Sequence, residues 1–176
     1  MICLRMIGSR ARAFLIVLTG ITIASTSLAS AQIVALGHSA VRDQAVAENE
    51  MWPAVLEGML RARGSNVHVT NAGVWGETTA NTLSRVSSAV PDGTRIVILM
   101  DNGYNDAHKL AEGAANAAAN IAAIKKQLGA RGIKIIDAMG IYVSVIRQPG
   151  MSVADHIHLN AEGCKKVATI LAGMVR

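Results

Sequence analysis

Aromatic side chains are scarce in this 176-residue chain: 3% of residues, with one Phe, two Trp and two Tyr. A core must therefore be filled by Ala, Val, Ile, Leu and Met. Cysteine is as rare, with Cys3 at the extreme N-terminus and Cys164 far from it. With the N-terminal segment set aside, a single cysteine remains, which excludes an intramolecular disulfide framework. Charged residues make up only 16% and hydrophobic ones 51%, which excludes a disordered acidic or basic tail. No Lys/Arg cluster is longer than a pair, as at Lys125-Lys126 and Lys165-Lys166. There is also no uninterrupted apolar run of the ~20 residues that a membrane-spanning helix needs.

The formal net charge of +5 would invite a nucleic-acid partner, but three of the seventeen basic residues are Arg5, Arg10 and Arg12. They precede the apolar run Ala13 to Ala24 and a small-residue stretch ending in Ala29-Ser30-Ala31. A basic start, a short apolar centre and an A-x-A site are the three parts of a secretory signal. Residues 1–31 are therefore expected to be a signal peptide cleaved before Gln32, leaving no stable membrane anchor and directing the protein to the periplasm or outside. Cys3 lies too early for lipid attachment after such a signal. Without the three arginines, fourteen basic residues face twelve acids, and the charge falls to +2. Nucleic acid is then not an expected partner.

Residues 32–176 read as a single domain. Ile33–Leu36, Asn66–Thr70, Arg95–Met100 and Ile133–Ile136 have the apolar or β-branched character of strands. Between them, Trp52–Arg63, Thr78–Val90 and Ala111–Leu128 read as helices, and Ala161–Met174 closes the chain as another. Pro53 suits a helix first turn, Gly64 a helix end, and Pro91-Asp92-Gly93 a turn. Ile141–Ile146 is left as a short strand or the wall of a cleft. Strands alternating with helices imply an α/β fold: three α/β/α layers around a mostly parallel, flavodoxin-like sheet of four to five strands. Such sheets bind ligands at the C-terminal ends of their strands.

Small and polar residues gather at those ends. Gly37-His38-Ser39 follows the first strand, and Asn71 to Thr78 the second. Asp101 to Asp106 follows the third, and Asp155-His156-Ile157-His158 precedes the last helix. A serine hydroxyl becomes a useful nucleophile when a histidine takes its proton, and the histidine needs a carboxylate to fix its tautomer. Asp-x-x-His can supply the last two from one loop. Backbone N–H groups of Ser39 and Gly76 and the Asn105 amide are candidate donors to an oxyanion, each worth ~3–4 kcal/mol in such sites.

These blocks resemble those of the SGNH hydrolases, also called GDSL esterases or lipases. In that family Ser, Gly, Asn and His stand in four separate blocks in this order. The resemblance runs from Ile33 to Val175, and Trp52-Pro53 with Leu56 is similar to the family's first helix. It implies the SGNH-hydrolase fold, with Ser39, Asp155 and His158 as catalytic residues and Ser39, Gly76 and Asn105 as the oxyanion hole. It implies hydrolysis of a small-molecule acyl ester or thioester with no metal or organic cofactor. Short-acyl or aryl esters, lysophospholipids, acyl thioesters and O-acetylated sugars are all within its range. Trp75 and Tyr104 adjoin the oxyanion candidates and are expected to line a substrate pocket, although Trp75 fits a core position equally well.

The chain departs from the family at two points. His38 replaces the family's Asp between Gly and Ser, and the stretch between Asp137 and Asp155 is short. Both motivate a second reading, a catalytically weak domain of this fold that binds an acylated or glycan ligand. A flavodoxin-like phosphate binder is disfavoured, because the first loop lacks a glycine-rich cradle. With Val41 after Ser39-Ala40 there is no Gly-x-Ser-x-Gly elbow, which disfavours the larger α/β-hydrolase class. His156 and His158 form a His-x-His pair without a third ligand at matching spacing, so no metal site is expected. His38 is set aside as the base, since neighbours on an extended turn usually point apart. Asp106 is expected to be structural, Glu77 to sit at a helix N-terminus and Cys164 to be a small buried hydrophobe.

Overall fold

The computed structural model describes residues 32–109 and 113–175; the expected signal segment 1–31 lies outside them. Four strands form one fully parallel sheet in the order β2-β1-β3-β4. They are β1 (Gln32–Gly37), β2 (His68–Gly73), β3 (Thr94–Met100) and β4 (Lys134–Asp137). The helices are α1 (Trp52–Ala62), α2 (Thr79–Ala89), α3 (Tyr104–Lys109), α4 (Gly113–Ala130), α5 (Met139–Ile146) and α6 (Ala161–Leu171). A 3-10 turn at Glu48–Glu50 precedes α1.

Alternate residues of the central strands feed two cores, because strand side chains point to opposite faces with period two. Ile33 and Ala35 of β1 and Ile98 and Met100 of β3 pack with Trp52, Leu56 and the α5 and α6 residues. Val34 and Leu36 of β1 and Val97 and Leu99 of β3 pack with α2 and α4. The expected three layers are therefore present, with four strands. The apolar runs without alternation follow from burial on both faces.

Several helix boundaries have local causes. Pro53 lies in the first turn of α1, and past its end Gly64, at φ +81°, lets the Ser65 N–H reach back to the Leu60 carbonyl at 3.1 Å. Thr78 caps α2, and Asn160 caps α6 by accepting from the Gly163 N–H at 2.9 Å. Two elements differ from the sequence reading. Ile141–Ile146 lies within helix α5 and is not a strand. Its β-branched residues favour extension locally, but the segment packs against α6 and the sheet, and tertiary burial overrides propensity. Short helix α3 occupies the block after β3, to which the sequence reading assigned no element.

Trp52 is the largest fully buried side chain, and its indole N–H donates to the Ala40 carbonyl at 2.8 Å. The first helix is thereby pinned to the loop that follows β1. Trp52→Phe leaves that carbonyl buried without its donor and removes ring volume. A loss of about 2–3 kcal/mol is expected in urea unfolding. A midpoint unchanged from wild type would show that the bond is not a structural anchor.

Candidate active site

Ser39 stands one residue beyond Gly37-His38, at the C-terminal end of the central strand β1. The loop folds back on itself, with the Val41 N–H donating to the His38 carbonyl at 2.9 Å. Gly37 is required where it stands, because a Cβ there would collide with the Met100 carbonyl of β3. Ser39 Oγ is 3.1 Å from His158 Nε2, across a long sequence separation. His158 Nδ1 is 2.6 Å from Asp155 Oδ2, so the imidazole donates from Nδ1 and is left free to accept the serine proton at Nε2. Sequence-expected Ser39, His158 and Asp155 thus come together in a continuous chain of hydrogen bonds.

The Asp155–His158 turn is built for this. The other carboxylate oxygen, Oδ1, accepts from the Ile157 N–H at 2.8 Å and the His158 N–H at 3.0 Å. Slight burial opposes the charge of Asp155, but the bonds from the His158 ring and these two amides outweigh it and hold the carboxyl at about 2. His156 takes φ +57°, the one non-glycine residue in the left-handed region among the described residues, and this reverses the chain between acid and base. Tyr142 of α5 donates its hydroxyl to the Ile157 carbonyl at 2.9 Å and braces the turn. Burial pushes the Tyr142 phenol well above its ordinary range, so it remains a donor.

Of the other oxyanion candidates, Gly76 lies on the loop after β2 and Asn105 on α3. Gly76 adopts φ +69°, and the Lys109 ammonium contacts its carbonyl at 2.5 Å. Asn105 Nδ2 donates one hydrogen to the Glu77 carbonyl at 2.8 Å, which ties it to the loop carrying Gly76 and leaves the second amide hydrogen available. Neither the Ser39 nor the Gly76 N–H makes a hydrogen bond to another described residue.

Behind these donors lies a buried polar frame. Asp106 accepts from the Thr79 N–H at 2.9 Å and the Thr79 hydroxyl at 2.6 Å, and Asn120 of α4 also reaches that hydroxyl at 3.0 Å. Asp106 is structural, as expected. Glu77 does more than neighbour a helix N-terminus. It is buried, pairs with Arg85 through both oxygens and accepts from Thr82. Arg85 also reaches the Gly37 carbonyl at 3.3 Å.

The two aromatics take different places. Trp75 is 42% exposed and stacks on the His158 imidazole at 4.6 Å between centroids, so it covers the face of the base. Tyr104 stacks on His108 and borders a groove of about 290 Å³ that begins at His38 and Ser39. The apolar wall of that groove is Met139, Tyr142, Val143 and Ile146 of α5, and Arg147 and His156 stand at its rim. The segment left as strand or cleft wall is therefore a helix that forms the wall. Trp75 is not among the groove residues. A larger hollow of about 380 Å³ lies at the opposite, N-terminal end of the sheet, among Gln32, Leu60, Arg95 and Lys134. Its lining includes Ser65 but no histidine or carboxylate to activate it.

Among the described residues no group of three or more His, Cys, Asp or Glu side chains is placed to hold a metal ion. No helix among them is long and apolar enough to cross a membrane. Cys164 is buried on α6, and its burial pushes the thiol up to about 11, so it is an inert packing residue. The sequence reading missed the contact of His38 with the site. Its Nδ1 lies 3.4 Å from Ser39 Oγ although the two residues are neighbours. Only the backward fold of the loop brings them together.

No protein-family model matches the chain. An arylesterase of Vibrio mimicus is 30% identical over 84 residues, which is 48% of this chain and 42% of that protein. The match thus spans less than half the length of that relative. Among solved structures, AlinE4, an SGNH-hydrolase family esterase, is similar with a TM-score of 0.59 and 26% identity, over 83% of this chain and 95% of that one. TesA has a TM-score of 0.68 at 19% identity, over 82% of this chain and 98% of its own. EstA, a psychrotrophic esterase from Pseudoalteromonas sp., has 0.68 at 15% identity, over 81% and 94%. At such identities TesA and EstA speak for the fold alone, which is the SGNH-hydrolase fold.

Proposed function

We propose that this protein, which has the SGNH-hydrolase fold and resembles esterases of that family, is itself a serine esterase working through an acyl-enzyme on Ser39. The observation that carries this reading is the contact chain Ser39–His158–Asp155 at 3.1 and 2.6 Å. Ser39 Oγ attacks the ester carbonyl while His158 Nε2 takes its proton, and Asp155 steadies the imidazolium. The Ser39 and Gly76 N–H groups and the free Asn105 amide hydrogen receive the negative oxygen of the tetrahedral intermediate. His158 then returns the proton to the leaving alcohol, and water releases the acid by the same steps in reverse order.

Every group in these steps comes from the chain, so no cofactor is assigned. The modest apolar groove favours short-acyl or aryl esters over long chains, and thioesters present the same carbonyl chemistry. The assembled triad favours catalysis over the binding-only alternative. Export to the periplasm or beyond is part of the proposal and rests on the signal character of residues 1–31.

The purified protein is expected to hydrolyse p-nitrophenyl acetate and butyrate faster than the octanoate, with rates unchanged after treatment with a chelator. Octanoate turned over faster than butyrate would overturn the short-acyl assignment. Loss of activity on chelation would overturn the metal-free mechanism.

A further inference from the structure

We propose that His38 is a positioning residue for the nucleophile: a neutral imidazole, protonated on Nε2, whose Nδ1 accepts from the backbone behind Ser39 and sets the direction of its hydroxyl. The inference rests on the esterase reading for its kinetic consequences but not for its geometry. His38 is 4% exposed. Its Nδ1 is 3.3 Å from the Ala40 N–H, which can only donate, so Nδ1 is the unprotonated nitrogen. The proton is then on Nε2, and that atom is the one buried side-chain nitrogen or oxygen without a hydrogen-bond partner among the described residues. It faces Asp101 Oδ1 at 3.7 Å, too far for a hydrogen bond but close for electrostatic attraction.

Asp101 is itself fixed. It is 5% exposed, its Oδ1 accepts from the Gly103 N–H at 3.1 Å, and its Oδ2 lies 3.3 Å from the Thr82 hydroxyl. A second histidine–carboxylate pair therefore stands behind the nucleophile, with its carboxylate buried where Asp155 is exposed. The groups facing His38 are Asp101 at the end of β3, Asn102 beside it, Asp106 on α3 and His158 on the last loop. Burial lowers the His38 pKa, and Asp101 only partly offsets this, which favours the neutral ring.

Its role follows from the loop. An acceptor two residues before an N–H closes the same small turn that Asn or Asp side chains make, and here the imidazole makes it. Ser39 is the residue enclosed by that turn, so fixing Ala40 fixes the direction of Ser39 Oγ. Two acceptors compete for its proton, His158 Nε2 at 3.1 Å and His38 Nδ1 at 3.4 Å. Occupation of Nδ1 by the Ala40 N–H leaves His158 as the base.

Two variants separate this role from simple filling of space. In His38→Asn the side-chain oxygen can occupy the Nδ1 position; in His38→Gln the amide reaches the Nε2 position and leaves Nδ1 without a counterpart. The kcat of His38→Asn on p-nitrophenyl acetate is expected to exceed that of His38→Gln at least about tenfold, with KM changed less than about threefold, since misdirection of an attacking atom lowers kcat. Equal kcat for the two variants, with both cooperatively folded, would overturn the proposal. A long-range proton–nitrogen NMR correlation of the histidine-labelled wild type reads the tautomer directly. Nδ1 is expected at an unprotonated shift and Nε2 at a protonated one, and the reverse would overturn the proposal even if no ester were hydrolysed. Absence of turnover with the Nε2–H tautomer present would instead count against the esterase reading and leave the geometry supported.

Discussion

Ser39→Ala is expected to lower p-nitrophenyl acetate hydrolysis at least about 10³-fold while leaving thermal unfolding within the small range typical of surface changes. The substitution removes one oxygen from a half-buried position. The loop keeps its backbone bonds from Val41 and Arg42 to the His38 carbonyl and its tie to Trp52 through Ala40. His158, Asp155 and the oxyanion donors all remain, so a residual rate from water attacking the bound ester is expected. A p-nitrophenyl acetate progress curve for wild type and variant at equal concentration measures the effect. Equal rates would remove Ser39 as nucleophile and with it the covalent mechanism. A large loss accompanied by a lowered melting temperature would instead indicate damage to the loop, which the backbone bonds argue against.

Asp155→Asn is expected to cost about 10²–10⁴-fold in kcat, the range expected when a triad histidine is held in the wrong tautomer. The cause can be traced atom by atom. One carboxylate oxygen takes two backbone N–H groups, and the other takes the His158 ring. An asparagine keeps its single oxygen on the two amides and turns its NH₂ toward His158 Nδ1. That nitrogen must then accept, so its proton moves to Nε2, where it opposes the Ser39 hydroxyl instead of receiving from it. Histidine NMR of the variant should show protonated Nε2 together with the rate loss. A wild-type rate would mean that the carboxylate does not select the tautomer.

The same bonds give a sign for the pH dependence. Asp155 has its carboxyl held down to about 2, so it stays ionised through mildly acidic conditions. Its contribution to folding is present above the ordinary carboxylate range and is lost as the pH falls through about 2. Loss of activity on mild acidification therefore does not report protonation of Asp155.

Much of the fold could be read in the sequence because local rules and global burial agree there. Runs such as Ile33–Leu36 and Ile96–Met100 are apolar at every position, which only a two-sided parallel sheet accommodates. Pro53, Thr78 and Asn160 mark helix starts by chemistry that acts within one turn. Ile141–Ile146 was ambiguous because its β-branched residues suit a strand while its partners lie on α6 and the sheet, out of reach of any local rule. Helix α3 was hidden because its six residues carry too short a pattern to show a period.

The candidate site divides in the same way. Sequence by itself determined the residue types and their order: a serine, a glycine, an asparagine and an Asp-x-x-His, each at a place where this topology opens its strand ends. It also fixed the Asp155–His158 pairing, since three residues of one turn bring the two side chains together. Tertiary structure decided what requires distant parts of the chain to meet. Ser39 and His158 are far apart in sequence, and their 3.1 Å contact exists because β1 is central in the sheet and Tyr142 braces the final loop. His38 reads as a departure from a motif, and only burial against Asp101 turns it into the acceptor that closes the turn around the nucleophile. Trp75 stood equally for core or pocket, and packing placed it on the imidazole face. The physical reason is range: backbone geometry and single turns act over a few residues, whereas desolvation and the pairing of buried polar groups depend on which distant surfaces the fold presses together.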